Sequence, residues 1–118
     1  MNKDVYETCF VKPWVLKKLR DLTADVFSKI GTEKSRQRLV YDLLNTLRSN
    51  NRKRFLEIVL KNVNTLKSEE RGKAREFAHL LSNLWLEYET SENFEKIAYA
   101  VVMGIMNAEN VGGGDKNV

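Results

Sequence analysis

The side chains best suited to do chemistry in this chain are cations that recur at helical spacing. Three pairs stand four residues apart, at Lys34 and Arg38, Arg48 and Arg52, and Arg71 and Arg75. On a helix, both members of such a pair project from one side, one turn apart. A guanidinium can also bind a phosphate through two hydrogen bonds, which an ammonium cannot do. The pairs therefore predict contacts with phosphates spaced along a nucleic-acid strand.

The densest group of cations lies in one short segment between two predicted helices. Asn50, Asn51, Arg52, Lys53 and Arg54 place three cations and two amides at the start of a helix. Free backbone N–H groups and the helix dipole add attraction for an anion at such a start. We predict that this segment is the main phosphate-binding site. The alternative is that these cations only keep the surface solvated.

Positive charge is concentrated in one part of the chain. Residues 12–75 hold 17 Lys or Arg against 7 Asp or Glu, whereas residues 76–118 hold 2 against 7. Each cation that meets a phosphate releases a counterion, so the basic block favours a polyanionic partner. The acidic part includes four closely spaced glutamates, at Glu87, Glu89, Glu92 and Glu95. They predict either a contact with a neighbouring subunit or a solvated rim.

Residues that could catalyse a reaction are scarce. His79 is the only histidine and Cys9 the only cysteine, so no histidine pair can hold a metal. The three glycines at residues 112–114 are not followed by the Lys-Ser/Thr of a phosphate-binding loop. The sequence therefore predicts a protein that is not an enzyme and that needs no metal and no cofactor.

The aromatic residues divide into a predicted core and two ambiguous tryptophans. The predicted core aromatics fall on apolar stripes, at Tyr41, Phe55, Phe77 and Phe94. Trp14 and Trp85 could each stack on a base or contact another subunit, although core packing is favoured for Trp85. No recognition helix that would read base edges is evident, so binding is expected to tolerate any sequence.

The elements that must position these residues are helices. Apolar residues recur at helical spacing almost throughout, and no stretch alternates with a period of two. Five helices are predicted, with first residues or N-caps at Pro13, Thr32, Asn51, Ser68 and Ser91. The stretch 49–51 could instead be a kink in one long helix. These helices bury their stripes best as an all-α, compact antiparallel bundle.

The bundle is predicted to form a single domain with two short ends. Residues 1–11 are assigned to an N-terminal extension, 12–106 to the helical bundle and 107–118 to a flexible C-terminal tail. One cysteine, no long apolar run and no signal-like start favour a cytoplasmic protein.

Two segments of the chain resemble a known family. The first, Tyr41–Phe55, joins a leucine-rich helix to a Phe-containing helix through an Asn-Arg pair. The second is Ile97-Ala98-Tyr99-Ala100, which leads to an apolar-Gly-apolar turn at residues 102–105. This order is similar to the C-terminal helical region of the large subunit of type I CRISPR effector complexes, known as Cascade. In that family the same region also occurs as a separate small subunit. A chain of 118 residues resembles this small subunit.

The resemblance implies a non-catalytic role in a crRNA-guided complex. Several copies of the small subunit would pack beside one another and beside other Cascade subunits, and their basic residues would hold target-DNA strands of the R-loop. It implies no membrane and no small-molecule substrate as partners. The competing interpretation is a helical adaptor or regulatory protein that binds another protein. Its basic face would then serve only to keep the surface solvated.

Overall fold

The computed structural model describes residues 11–66 and 71–116, with side chains described as far as residue 108. Five helices occupy this part of the chain, and it contains no strand. They are α1 (Pro13–Phe27), α2 (Glu33–Arg48), α3 (Arg52–Val63), α4 (Arg71–Tyr88) and α5 (Phe94–Lys116). The predicted all-α bundle is confirmed. None of these helices combines the length and the apolar character that a membrane crossing requires within the described residues.

The ends of α1, α2 and α3 follow local sequence signals. Gly31 has a φ of 64°, a left-handed conformation that glycine adopts without strain. The Thr32 hydroxyl then accepts a hydrogen bond from the backbone N–H of Ser35, and the Ser35 hydroxyl accepts one from the N–H of Thr32. Asn50, with a φ of 57°, reverses the chain after α2. Asn51 caps α3, so residues 49–51 separate two helices and do not kink one.

The structure differs from the sequence-based boundaries at the start of the last helix and at both ends of the predicted bundle domain. Ser68 lies outside the described residues, so its predicted cap is not described. The last helix begins at Phe94 and not beside Ser91, whose hydroxyl instead accepts a hydrogen bond from the N–H of Asn93. Val11 is buried, so the core begins inside the segment assigned to an extension.

The C-terminal boundary also differs, because α5 continues to Lys116 and does not end near residue 106. Ala108 is fully buried, so helix packing extends beyond the predicted domain end. The extension is favoured because each residue added to a helix that has already formed gains one backbone hydrogen bond.

The core is centred on the packing of α1 against α5. At Gly104, which lies inside α5 and not in the turn that the resemblance implied, a Cβ atom would come within 2.4 Å of Thr23 Cβ and 2.6 Å of the Arg20 carbonyl oxygen. The two helices therefore touch through backbone at this point. Phe27 of α1 packs edge-on against Phe77 of α4, with ring centroids 6.1 Å apart. With α1, α4 and α5 fixed in this way, α2 and α3 present their outer faces to solvent.

Candidate nucleic-acid interface

The outer face of α2 carries a continuous row of exposed polar and aromatic side chains. The row consists of Lys34, Arg38, Tyr41, Asn45 and Arg48, and all five are exposed. Their spacing of four, three, four and three residues keeps them on one side of the helix. The row spans 14 residue steps, which is about 21 Å at 1.5 Å per residue. The inner face buries Leu39 and Leu43, and this burial fixes the row toward solvent.

A groove of about 580 Å³ lies between α2 and α3 beside this row. Arg38 contributes from α2, and Arg54 and Lys61 contribute from α3, so three cations line one groove. Asp42 is the acidic residue among its lining side chains. An anion in this groove would meet cations from two helices, which a single helical row cannot provide.

The cations of the groove keep most of their capacity to bind a ligand. Arg38 and Lys61 are exposed and form no ion pair with another described residue. Arg54 pairs with Glu57 at 3.7 Å, and both side chains are more than half exposed. Such a surface pair contributes little stability, so a phosphate could displace Glu57 at small cost.

Arg52 was predicted to bind phosphate, but its contacts favour a structural role. Its half-buried guanidinium donates hydrogen bonds to the backbone carbonyls of Glu89 and Ser91 in the connection between α4 and α5. Its Cζ atom also lies 4.4 Å from the centroid of the Phe94 ring. These contacts hold the start of α3 to a distant turn. A phosphate would have to compete with all of them.

The predicted pairing of Arg48 with Arg52 is wrong, because the two residues lie on different helices. Arg48 ends α2 and Arg52 begins α3, with the reversal at Asn50 between them. Arg48 remains exposed and donates to the Asn45 side chain at 3.5 Å. The other members of the predicted segment, Asn50, Asn51 and Lys53, are exposed at the same junction.

The remaining predicted pairs do lie on single helices. Lys34 and Arg38 are exposed one turn apart on α2, and Arg71 and Arg75 are exposed one turn apart on α4. Arg71 also donates from Nε to the Leu66 carbonyl at 3.1 Å, beside the end of α3. Leu66 directly follows Thr65, which lines the groove, so Arg71 lies near this end of the groove.

The connection that carries part of the acidic cluster lies against the basic junction, the segment of residues 50–54 at the start of α3. Glu87, Glu92 and Glu95 are exposed and Glu89 is half-buried. Glu89 and Glu92 lie in the connection between α4 and α5, whereas Glu87 lies in the last turn of α4 and Glu95 in the first turn of α5. The backbone of Glu89 contacts Arg52, so this connection packs against the start of α3. Nearby carboxylates repel phosphate, and this weakens the junction as the main site. The groove between α2 and α3 is the more favourable position.

Arg36, another cation of the basic block, is also committed to the fold. It is 6% exposed, and its Nη1 donates to the carbonyls of Phe27, Ile30 and Gly31 at 3.1 to 3.4 Å. Phe27 is the last residue of α1, and Ile30 and Gly31 lie in the turn that follows it, so the negative end of that helix dipole helps to compensate the buried charge. Arg36 therefore ties α2 to α1 and does not reach the outer face.

The aromatic predictions are mostly confirmed, with one error. Phe55, Phe77 and Phe94 are buried, and Trp85 stacks on Phe55 with centroids 5.7 Å apart. Tyr41 is 61% exposed, so its assignment to the core is wrong. The apolar residues of α2 already fill its inner face, and Tyr41 lies on the other side between Arg38 and Asn45.

Three residues of the interface were missed by the sequence analysis. They are Tyr41, Asn45 and Lys61. For Tyr41 and Asn45 a signal existed, because both continue the spacing of Lys34, Arg38 and Arg48. For Lys61 no local signal existed, since its place beside Arg38 depends on how α3 folds back along α2.

The structure adds no catalytic constellation to this surface. His79 is exposed on the outer part of α4. Within the described ranges, no group of three or more His, Cys, Asp or Glu residues could hold a metal ion. Comparison of the chain with protein-family models, curated proteins and solved structures found no match.

The first testable expectation concerns Arg52 as a residue of the fold. Replacing it with Met leaves the carbonyls of Glu89 and Ser91 without their donor, and a hydrogen bond to a charged group contributes about 1.5–3 kcal/mol. We expect Arg52→Met to lower the thermal unfolding midpoint by several degrees, as followed by circular dichroism. Lys53→Met, next to it and exposed, should leave the midpoint nearly unchanged. Equal midpoints for the two variants would contradict the structural role.

Proposed function

We propose that this protein is a non-catalytic nucleic-acid-binding module that holds strands through their phosphate backbone. The observation that carries the proposal is the convergence of Arg38, Arg54 and Lys61 on one groove lined by a single carboxylate. Cations elsewhere are more nearly balanced: Lys17 lies 3.6 Å from Asp21, and Lys18 lies 3.7 Å from Glu76. The α2–α3 hairpin, residues 33–63, holds eight Lys or Arg against three Asp or Glu. A polyanion would therefore be attracted to this side.

Backbone contacts account for this surface better than base reading does. The cations are long, exposed side chains on a convex helix face and along a shallow groove. Phosphate contacts fix position on a strand but carry no direct sequence information. The proposed binding is therefore tolerant of sequence.

The second expectation is a characteristic salt dependence of binding. If three to five phosphates of a single strand are engaged, the logarithm of the association constant should fall against the logarithm of salt concentration with a slope of about −2 to −3.5. Fluorescence anisotropy with a labelled oligonucleotide at several salt concentrations measures this slope. Affinity that does not change between low and moderate salt would refute phosphate binding.

A more particular proposal is that the module is the small subunit of a type I CRISPR effector complex. It is supported by the resemblance of Tyr41–Phe55 and of residues 97–105 to that family. In such a complex the groove would hold a strand of the R-loop. Tagged protein from its native cells should then copurify with guide RNAs derived from a CRISPR array, which RNA sequencing would identify. Recovery of no such RNA would favour a different nucleic-acid complex.

The same proposal includes neighbouring subunits or further copies of the chain as partners. Glu87, Glu92 and Glu95 are exposed and could meet a basic surface of such a neighbour. Exposed charges alone give weak contacts, so a larger complex or the nucleic acid would have to organise them.

A second candidate function is that of a helical adaptor for another protein. The observation in its favour is an exposed apolar stripe on α5 formed by Tyr99, Met103 and Met106, which are 48%, 48% and 52% exposed. Their spacing places them on one side of the helix, and none of them lines the α2–α3 groove. If the protein is only an adaptor, Met103→Glu should disrupt its complexes while nucleic-acid binding is absent from the start.

A further inference from the structure

Tyr41 presents an exposed aromatic ring in the middle of the row of polar side chains on α2. Its side chain is 61% exposed, and it makes no hydrogen bond or ring contact with another described residue. Arg38 lies three residues before it, and Asn45 lies four residues after it. Neighbours at these spacings on a helix have Cβ atoms about 5–6 Å apart. The ring is therefore flanked by a cation and an amide on the surface proposed to meet phosphates.

Trp14 shows that exposure alone does not single out Tyr41. Trp14 is 65% exposed, but the surface depression that it lines contains three lysines and three acidic side chains. A polyanion gains little from a surface with balanced charge. Tyr41 instead lies beside a groove that has three cations and one carboxylate. Of these two exposed rings, Tyr41 is the one that a nucleic acid would approach.

We propose that Tyr41 stacks on an unpaired base, so that the protein selects single-stranded nucleic acid over a duplex. This inference rests on the proposed function, because the cations of the α2 row and the groove must first hold the backbone. Every base has a π face, so stacking on tyrosine tolerates any sequence. In a duplex both faces of each base are already covered by neighbouring base pairs. Only an unpaired strand can present a base to Tyr41 while its phosphates contact Arg38 and Arg54.

The test separates stacking from backbone binding by using three labelled probes in anisotropy titrations. The probes are an oligothymidylate, an abasic strand of the same length and a duplex of the same length. Tyr41→Ala is expected to weaken oligothymidylate binding by roughly 5-fold to 100-fold and to leave binding of the abasic strand unchanged. Tyr41→Phe should retain the affinity, because it keeps the ring. Tyr99→Ala, which removes an exposed tyrosine from α5, is the matched control and should bind as the wild type does.

The possible failures are distinguishable. If the wild type binds all three probes equally and Tyr41→Ala changes none of them, the stacking inference is wrong and backbone binding stands. Equal losses on the oligothymidylate and the abasic strand would also overturn stacking, because the abasic strand has no base to stack. If the wild type binds none of the probes at low salt, the proposed function fails and the inference fails with it.

Discussion

Replacing Arg38, Arg54 and Lys61 together by glutamate is expected to abolish measurable binding of nucleic acid. The three side chains line one groove, and each can make a charge-assisted hydrogen bond to a phosphate oxygen. Such bonds contribute about 1.5–3 kcal/mol each, so losing three of them should lower affinity more than about 100-fold. Added carboxylates in the groove would then repel the strand. Anisotropy titration at low salt measures the loss, and circular dichroism verifies that the helices persist.

A matched variant separates the groove from the overall charge of the protein. Lys17, Lys18 and Lys73 line a depression formed by α1 and α4, and all three are exposed. Changing these three lysines to glutamate alters the net charge by the same amount as the groove variant does. We expect this control to keep most of the affinity apart from a general electrostatic loss. Equal losses in the two variants would mean that binding follows net charge alone, and the groove would no longer be the site.

The second large effect is expected at Gly104, where α5 meets α1. Replacing glycine with alanine inside a helix normally stabilises it by about 1 kcal/mol. At Gly104, however, the new Cβ would lie 2.6 Å from the Arg20 carbonyl oxygen and 2.4 Å from Thr23 Cβ. The helices would have to separate, and overpacking of this kind costs about 1–3 kcal/mol. We therefore expect Gly104→Ala to lower the free energy of unfolding measured in urea.

Gly72 provides the control for this prediction. It also lies in a helix, α4, and an added Cβ there meets nothing within 4 Å. Gly72→Ala should therefore leave the protein equally stable or slightly more stable. The same Gly→Ala change is therefore expected to lower the free energy of unfolding at Gly104 and not to lower it at Gly72. If Gly104→Ala stabilised the protein as much as Gly72→Ala does, the close packing of α1 on α5 would be refuted.

The helices could be predicted because their signals are local. Thr32 and Asn51 act as N-caps through bonds to residues three positions later, and the apolar stripe of each helix repeats within a few turns. Gly31 and Asn50 adopt left-handed conformations that suit their small or polar side chains. None of these features depends on a distant part of the chain.

The roles of individual cations could not be predicted, because they depend on distant contacts. Arg52 was the centre of the expected phosphate site, yet its partners lie 37 and 39 residues away. Arg36 faces the end of the preceding helix, and Arg38, two residues on, faces the groove. Charge counts along a sequence treat these arginines alike. Only the packing of α2 and α3 shows which of them remain free to bind a strand.

The central claim is that nucleic acid binds along α2 and the α2–α3 groove, and lysine footprinting tests it most directly. An amine-reactive label is applied to the wild-type protein with and without a single-stranded oligonucleotide, and mass spectrometry quantifies the modification of each lysine. Lys34, Lys61, Lys18 and Lys29 are all exposed, so each can report. We predict that the oligonucleotide protects Lys34 and Lys61, and that labelling of Lys18 and Lys29 is unchanged. Protection of Lys18 and Lys29 with continued labelling of Lys34 and Lys61, or equal protection of all four, would contradict the account.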